Sequence, residues 1–198
     1  MLKKNLITAV LMTIATTILL GVIYPLVVTG IAQVVFPDQA NGQLIKRGGR
    51  LVGFRIIGQG FSGPGYFDSR PSAAGNGYNA ANSGGSNLGP TNRKLINRVR
   101  QDVTEFQAQN PGQPVPIDLV TTSASGIDPN ITPAAAEYQL ARVAQQRGIT
   151  VGQLKSLVAK YTEGRQFGVL GEPRVNLLEL NLELDKRFPL NRQTAAHK

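Results

Sequence analysis

From Asn5 to Pro37 the chain carries no charged residue, and isoleucine, leucine and valine fill most of Leu6 to Val28. A run of that length and character matches the ~20 apolar residues needed to cross ~30 Å of hydrocarbon at ~1.5 Å per residue. It is too long for the ~7 to 15 residue apolar core of a secretory signal, and Gly30-Ile31-Ala32 is a feeble cleavage site. A retained anchor is therefore expected: a short cytoplasmic N-terminus 1–5, a transmembrane helix 6–28, a connector 29–42, a soluble domain 43–190 and a frayed tail 191–198. Pro25 does not break the span, because neighbouring helices or Ser/Thr hydroxyls can satisfy the carbonyl it frees. Thr8, Thr13, Thr16, Thr17, Gly21 and Thr29 offer small and hydroxyl side chains for close packing against other membrane helices.

The chain beyond the anchor is long enough for one domain with a sizeable core. Of the 21 basic residues, Lys3 and Lys4 precede the span, leaving 19 against 12 acidic ones. Such a balance suits an acidic partner surface or anionic lipid heads. Nucleic acid fits poorly, since the basic residues are dispersed and aromatic platforms are few. The absence of cysteine removes disulfides and thiolate chemistry, and the single histidine, His197, stands next to the end, which disfavours a charge-relay triad or a histidine metal cage. Lys3 and Lys4 before the span, and Asp38 without a base between Pro37 and Ile45, place the N-terminus in the cytoplasm and the domain outside; Lys46, Arg47, Arg50 and Arg55 pull the other way.

Within the domain, Gln43 to Ile57 holds two short apolar runs around Arg47-Gly48-Gly49-Arg50, the signature of a hairpin. A glycine-rich loop, 62–90, comes next, with Tyr66, Phe67 and Tyr78 as its aromatics; a loop of this length is functional or disordered. Thr91 is expected to open a helix whose apolar residues Leu95, Ile96, Val99, Val103 and Phe106 recur every three or four positions, closed by Asn110-Pro111-Gly112. Val115 to Thr122 reads as a buried strand. Thr132 and Pro133 start a second helix that Gly148 stops, and Thr150 with Gln153 makes a capping box for a third through Tyr161. Leu178 to Asp185 alternates as a strand would, but Asn176 with Glu179, and Leu177, Leu180, Leu184 and Phe188 on one face, favour a helix. Mixed elements without a βαβ rhythm give an α+β domain.

Motifs that could carry chemistry mostly read as structure. No glycine precedes a lysine, so a Walker loop is excluded. Gly58, Gly60 and Gly63 match a dinucleotide fingerprint after a predicted strand, but Pro64 and Gly65 forbid the helix that should open there, which makes them turn glycines. Ser83-Gly84-Gly85-Ser86 is like part of the phosphate-holding signature loop of ABC transporters, though so short a string reads better as a surface loop whose amides form turns or meet a partner. Arg70-Pro71-Ser72 could clasp an anion, yet a lone arginine more often serves an ion pair or backbone carbonyls. Asp118, Asp128 and Glu137 raise paired-carboxylate catalysis, against which stands the turn-forming habit of Asp128 before a proline.

Read in order, the strings resemble one family, the C subunit of the Kdp potassium-transporting P-type ATPase. They are Tyr24-Pro25-Leu26 with Thr29-Gly30, Phe36-Pro37, Ala40-Asn41-Gly42, Ile57-Gly58-Gln59 with Phe61, Tyr66-Phe67 and Arg70-Pro71-Ser72-Ala73. They continue through Ser83 to Pro90, Asp118-Leu119-Val120-Thr121, Ser125 to Pro129, Gln139 with Arg142-Val143-Ala144, and Leu170 to Asn176. Where the family usually carries histidine, this chain has Asn130.

The resemblance implies a non-catalytic accessory and assembly subunit of a high-affinity, ATP-driven potassium uptake complex in the bacterial cell membrane. Its partners would be a channel-like potassium-translocating subunit, a P-type ATP-hydrolysing subunit and a small stabilising peptide, and ATP and potassium would be handled by the complex, with no cofactor held firmly by this chain. Tyr24, Pro25, Tyr66, Phe67, Arg70, Ser83, Gly84, Gly85 and Asn87 are the candidate partner contacts. An alternative role is a nucleotide-sensing chaperone that raises ATP affinity from the cytoplasmic side, with Gln139 touching nucleotide. A membrane-anchored hydrolase acting alone would need a general base that the sequence does not offer.

Overall fold

The computed structural model describes residues 1–61 and 63–190; Ser62 and the expected tail 191–198, including His197, lie outside the described residues. The chain divides into two units, Met1–Val52 and Gly53–Lys198.

The first unit is dominated by one helix, α1 (Leu2–Val35), 34 residues long and apolar enough to cross a membrane. At ~1.5 Å per residue it measures about 51 Å, so it exceeds the ~30 Å of a hydrocarbon core and runs beyond the expected 6–28 span. Its middle, Thr17–Ile23, winds as a π-helix just ahead of Pro25. Proline has no N–H to give and its ring crowds the carbonyl four residues back, and a widened turn relieves both. The hydroxyls of Thr8, Thr13 and Thr16 donate to the carbonyls of Lys4, Ala9 and Met12 at 2.8 to 3.0 Å. A short turn, α2 (Pro37–Ala40), is tied back by Asn41, whose amide donates to Gln33 Oε1 at 3.1 Å and to the Pro37 carbonyl at 2.6 Å. Strands β1 (Leu44–Arg47) and β2 (Arg50–Phe54) form the expected hairpin, with Gly48 and Gly49 at φ 58° and 78°, a left-handed pair that glycine adopts without strain.

The second unit is an α+β domain whose core is mostly helical. Helix α3 (Arg93–Gln109) is followed by β3 (Asn130–Ile131), α4 (Pro133–Arg147), α5 (Val151–Lys160), β4 (Thr162–Glu163), β5 (Arg174–Asn176) and α6 (Leu177–Arg187). The caps do what the residues dictate: Thr132 accepts from Ala135 N, Thr150 and Gln153 form the complete capping box, and Asn176 accepts from Glu179 N. The start of α3 differs from expectation by one residue, because Asn92 and not Thr91 caps it, accepting from Lys94 N at 2.9 Å. Asparagine is the stronger cap of the two.

The strands form a small antiparallel sheet in the order β3-β5-β4, with Ile131 opposite Val175 and Thr162 opposite Val175. With strands of two or three residues, the sheet buries little, and the core is filled by Leu140 and Val143 of α4, Leu154 and Leu157 of α5, and Leu177, Leu180 and Leu184 of α6. Each such side chain contributes roughly 1.5–3 kcal/mol on burial. Helix α3 joins through Phe106, edge-on to Tyr138 at 6.3 Å, while the Tyr138 hydroxyl donates to the Phe106 carbonyl at 2.8 Å.

The expected strand over Val115 to Thr122 is not formed. Pro114 and Pro116 remove two ladder donors, and the segment instead makes a 3₁₀ turn, Ile117–Leu119, that buries Leu119 and Val120 and leaves Ile117 outside. Carbonyls that a strand would offer to a neighbour go to arginines: Arg98 donates to Val120 O at 3.0 Å and Arg70 to Thr121 O at 3.3 Å.

Candidate functional site

Two of the residues singled out in the glycine-rich loop, Tyr66 and Phe67, lie in one device, a stretch of irregular backbone held by side chains. From Pro64 to Asp68, five consecutive carbonyls each accept a side-chain donor from α4 or α6. Arg142 takes Pro64 O at 2.7 Å and Tyr66 O at 3.0 Å, Arg147 takes Gly65 O at 2.6 Å, Asn181 takes Phe67 O at 3.1 Å, and Gln139 takes Asp68 O at 3.2 Å. Two amides in the stretch are paired as well, since Asn181 Oδ1 accepts Phe67 N at 3.0 Å and Gln139 Oε1 accepts Asp68 N at 2.7 Å. The side chains take the place of a neighbouring strand, which is how buried backbone can stay satisfied without a sheet. Gln139 and Arg142 stand three apart on one face of α4, Arg147 follows in its last turn, and Asn181 interrupts the leucine face of α6.

Charge is arranged around this stretch. Arg147, its side chain fully buried, pairs with Asp185 at 3.0 Å, donates to Phe188 O at 2.7 Å and lies 4.8 Å over the Tyr66 ring. The Tyr66 phenol donates to Asp185 at 3.1 Å, and burial together with that carboxylate pushes it above its ordinary range. Asp68 pairs with Arg142 at 2.8 Å; burial raises its carboxyl while Arg142 opposes the shift, and burial lowers the Arg142 guanidinium in turn. Among the described residues, Arg142 Nε is buried without a hydrogen-bond partner.

Phe67 is wholly buried and packs in the core, and Tyr66 is half-buried under Arg147. Gln139 is 1% exposed, its amide committed to Asp68, to the Ala135 carbonyl at 3.1 Å and to an incoming Arg142 N–H at 2.7 Å. Arg70 acts as a carbonyl donor and ion-pair partner, with Asp128 at 3.1 Å. Ser83 and Gly84 lean on the loop that includes Ser125: the Ser83 hydroxyl and the Gly84 N–H both donate to the Ser125 carbonyl, at 2.9 and 2.8 Å. Gly85 lies against Ala124, whose carbonyl oxygen would stand only 3.1 Å from a Cβ at position 85, and Asn87 is exposed at φ 51°. Tyr24 and Pro25 are exposed on α1 of the other unit.

The remaining motifs resolve as turn chemistry. Gly58 donates its N–H to Ile127 O at 2.7 Å, and no helix opens at Gly63. Asp128 accepts from Asn130 N at 3.0 Å, and Asp118 accepts from Thr132 N at 2.6 Å at the start of α4. Both line a cleft of about 300 Å³ with Arg70, Asn130 and Arg174, whereas Glu137 pairs with Lys155 at 3.1 Å and does not line that cleft. Sequence reasoning missed Asp68, Arg147 and Asn181. The one available signal was a polar residue at 181 between Leu180 and Leu184 on an apolar helix face.

Residues 6–186 match the family described as K+-transporting ATPase, c chain, or KdpC. The chain belongs to the KdpC family. The potassium-transporting ATPase KdpC subunit of Koribacter versatilis is 64% identical over 189 residues, spanning 96% of this chain and 98% of its own length. Those of Acidobacterium capsulatum and Rhodospirillum rubrum are 57% and 54% identical, spanning 92% and 94% of this chain and 98% of each relative. KdpC membership and the apolar helix α1 together support a membrane-associated chain with a single span.

Proposed function

We propose that the chain is an accessory, non-catalytic subunit of a potassium uptake ATPase, whose task is to hold the assembled complex together. Its partners are then the channel-like subunit that carries potassium, the P-type subunit that hydrolyses ATP and the small stabilising peptide, with the N-terminus in the cytoplasm and the domain outside. The observation that carries this reading is the use made of polar groups: Gln139, Arg142, Arg147, Asn181, Arg70 and Asp128 are all engaged in holding loop backbone in place. Such engagement suits a rigid surface for docking, where pre-ordering lowers the entropic cost of association. Nucleotide sensing through Gln139 would require breaking the contacts of a buried amide. Expressing the other subunits without this chain tests the proposal: no intact complex is expected in detergent, and recovery of a fully active transport complex would overturn it.

A further inference from the structure

Between β4 and β5 the chain doubles back in a hairpin whose apolar tip touches little of its own fold. Gln166 and Leu170 exchange backbone hydrogen bonds at 2.8 and 2.9 Å, and at the tip they close Phe167 is 86%, Val169 74% and Leu170 57% exposed. Phe167 also holds φ 54°, a left-handed conformation unfavourable for a bulky L-residue. The fold gains little from placing it there, since an aromatic ring in water on strained backbone stabilises nothing in this chain. The loop is nonetheless braced: Arg165 clasps Glu172 with two hydrogen bonds at 2.8 and 2.9 Å, and Arg174 donates to Glu163 at 3.0 Å.

Beside the stem, Gly164 and Pro173 border a mostly apolar groove of about 440 Å³ with Pro133, Val158 and Ala159 along it. Knob and groove together make a surface with relief. Its rim is charged but balanced, because Arg165 meets Glu172, Arg174 meets Glu163 and Lys155 meets Glu137, although the chain as a whole carries +9. Anionic lipid and nucleic acid call for unpaired basic residues, and membrane-interface anchors favour tryptophan and tyrosine, neither of which the tip carries. An apolar centre inside a polar, neutral rim is the anatomy of a protein interface.

We propose that the hairpin tip, Phe167 to Leu170, is an anchor that inserts into an apolar recess on another protein subunit of the transport ATPase, with the adjoining groove receiving the edge of that recess. The inference deepens the assembly role and rests on it. The test places the photoreactive p-benzoylphenylalanine at position 167 of the full chain, in membranes that contain the whole complex. Light is expected to join this chain to another subunit of the ATPase, identified by mass. An adduct with phospholipid or with a second copy of this chain, or no adduct in an intact complex, would overturn it. In parallel, F167S with V169S is expected to lower recovery of assembled complex about ten-fold, the scale of a lost interface anchor, while leaving the thermal midpoint of the full chain unchanged. Unchanged recovery would refute the anchor but leave the assembly role standing; an active complex formed without this chain would refute the assembly role itself.

Discussion

Gln139 meets Asp68 as one peptide meets another, its Oε1 accepting the Asp68 N–H at 2.7 Å and its Nε2 donating back to the Asp68 carbonyl at 3.2 Å. The pairing makes Gln139 a structural residue first. Replacing it by glutamate removes the donor that serves Asp68 O and Ala135 O, and leaving buried acceptors unpaired costs roughly 1–3 kcal/mol. Q139E is therefore expected to unfold at lower temperature than the parent chain. Unaltered stability with weakened ATP affinity of the assembled pump would assign the residue to nucleotide instead.

Asn181 makes the same two-way pairing with Phe67 from α6. N181L keeps the volume roughly and suits the leucine face, but strands one N–H and one carbonyl in the core, a loss of about 2 kcal/mol or more. Urea denaturation should show an earlier midpoint with an unchanged slope. An equal or later midpoint would mean that hydrophobic gain outweighs the two lost hydrogen bonds.

Acid titration should show an unusual sign at Asp68. Burial lifts its carboxyl above the ordinary carboxylate value despite Arg142, so the folded chain binds that proton more tightly than the unfolded one. The ionised group thus costs stability, and the cost fades as pH falls from its raised native value toward the unfolded value of about 3.9. Compared with D68N, the parent chain is expected to gain ground on mild acidification. Losing ground instead would show that the Arg142 pairing dominates.

Orientation can be read at a single introduced thiol, because the chain contains no cysteine. S83C lies at an exposed position, and with the domain outside it should react with a membrane-impermeant thiol reagent in intact cells. Labelling only after the cells are opened would put the domain in the cytoplasm.

Local signals carried much of the fold. Thr132, Thr150 with Gln153, and Asn176 each marked a helix start because a cap is decided within four residues, and the two glycines at 48 and 49 marked the hairpin for the same reason. Val115 to Thr122 misled, since its apolar pattern reflects burial of Leu119 and Val120 in a turn and pattern alone does not distinguish a turn from a strand. The carbonyl clamp was out of reach altogether. Its donors lie some seventy to more than one hundred residues from their acceptors, as with Gln139 and Asp68 or Asn181 and Phe67, and nothing in either segment names the other. Burial of Phe67 comes with that clamp, which is why an aromatic in a glycine-rich loop read as a surface contact.

The back-bonded threonines of α1 change how the anchor can recognise its neighbours. With Thr8, Thr13 and Thr16 already committing their hydroxyl protons to the helix's own carbonyls, those donors are not free for a second helix. Contour is also there to be read: the hollow at Gly30, where a Cβ would meet nothing, and the shallow notch of Gly21 beside the Thr17 methyl. A lipid tail fills such hollows poorly, and the flat side of another helix fills them well. Selection of a neighbour by α1 then depends on fit, and a bulky residue at Gly30 would alter it without disturbing a single hydrogen bond.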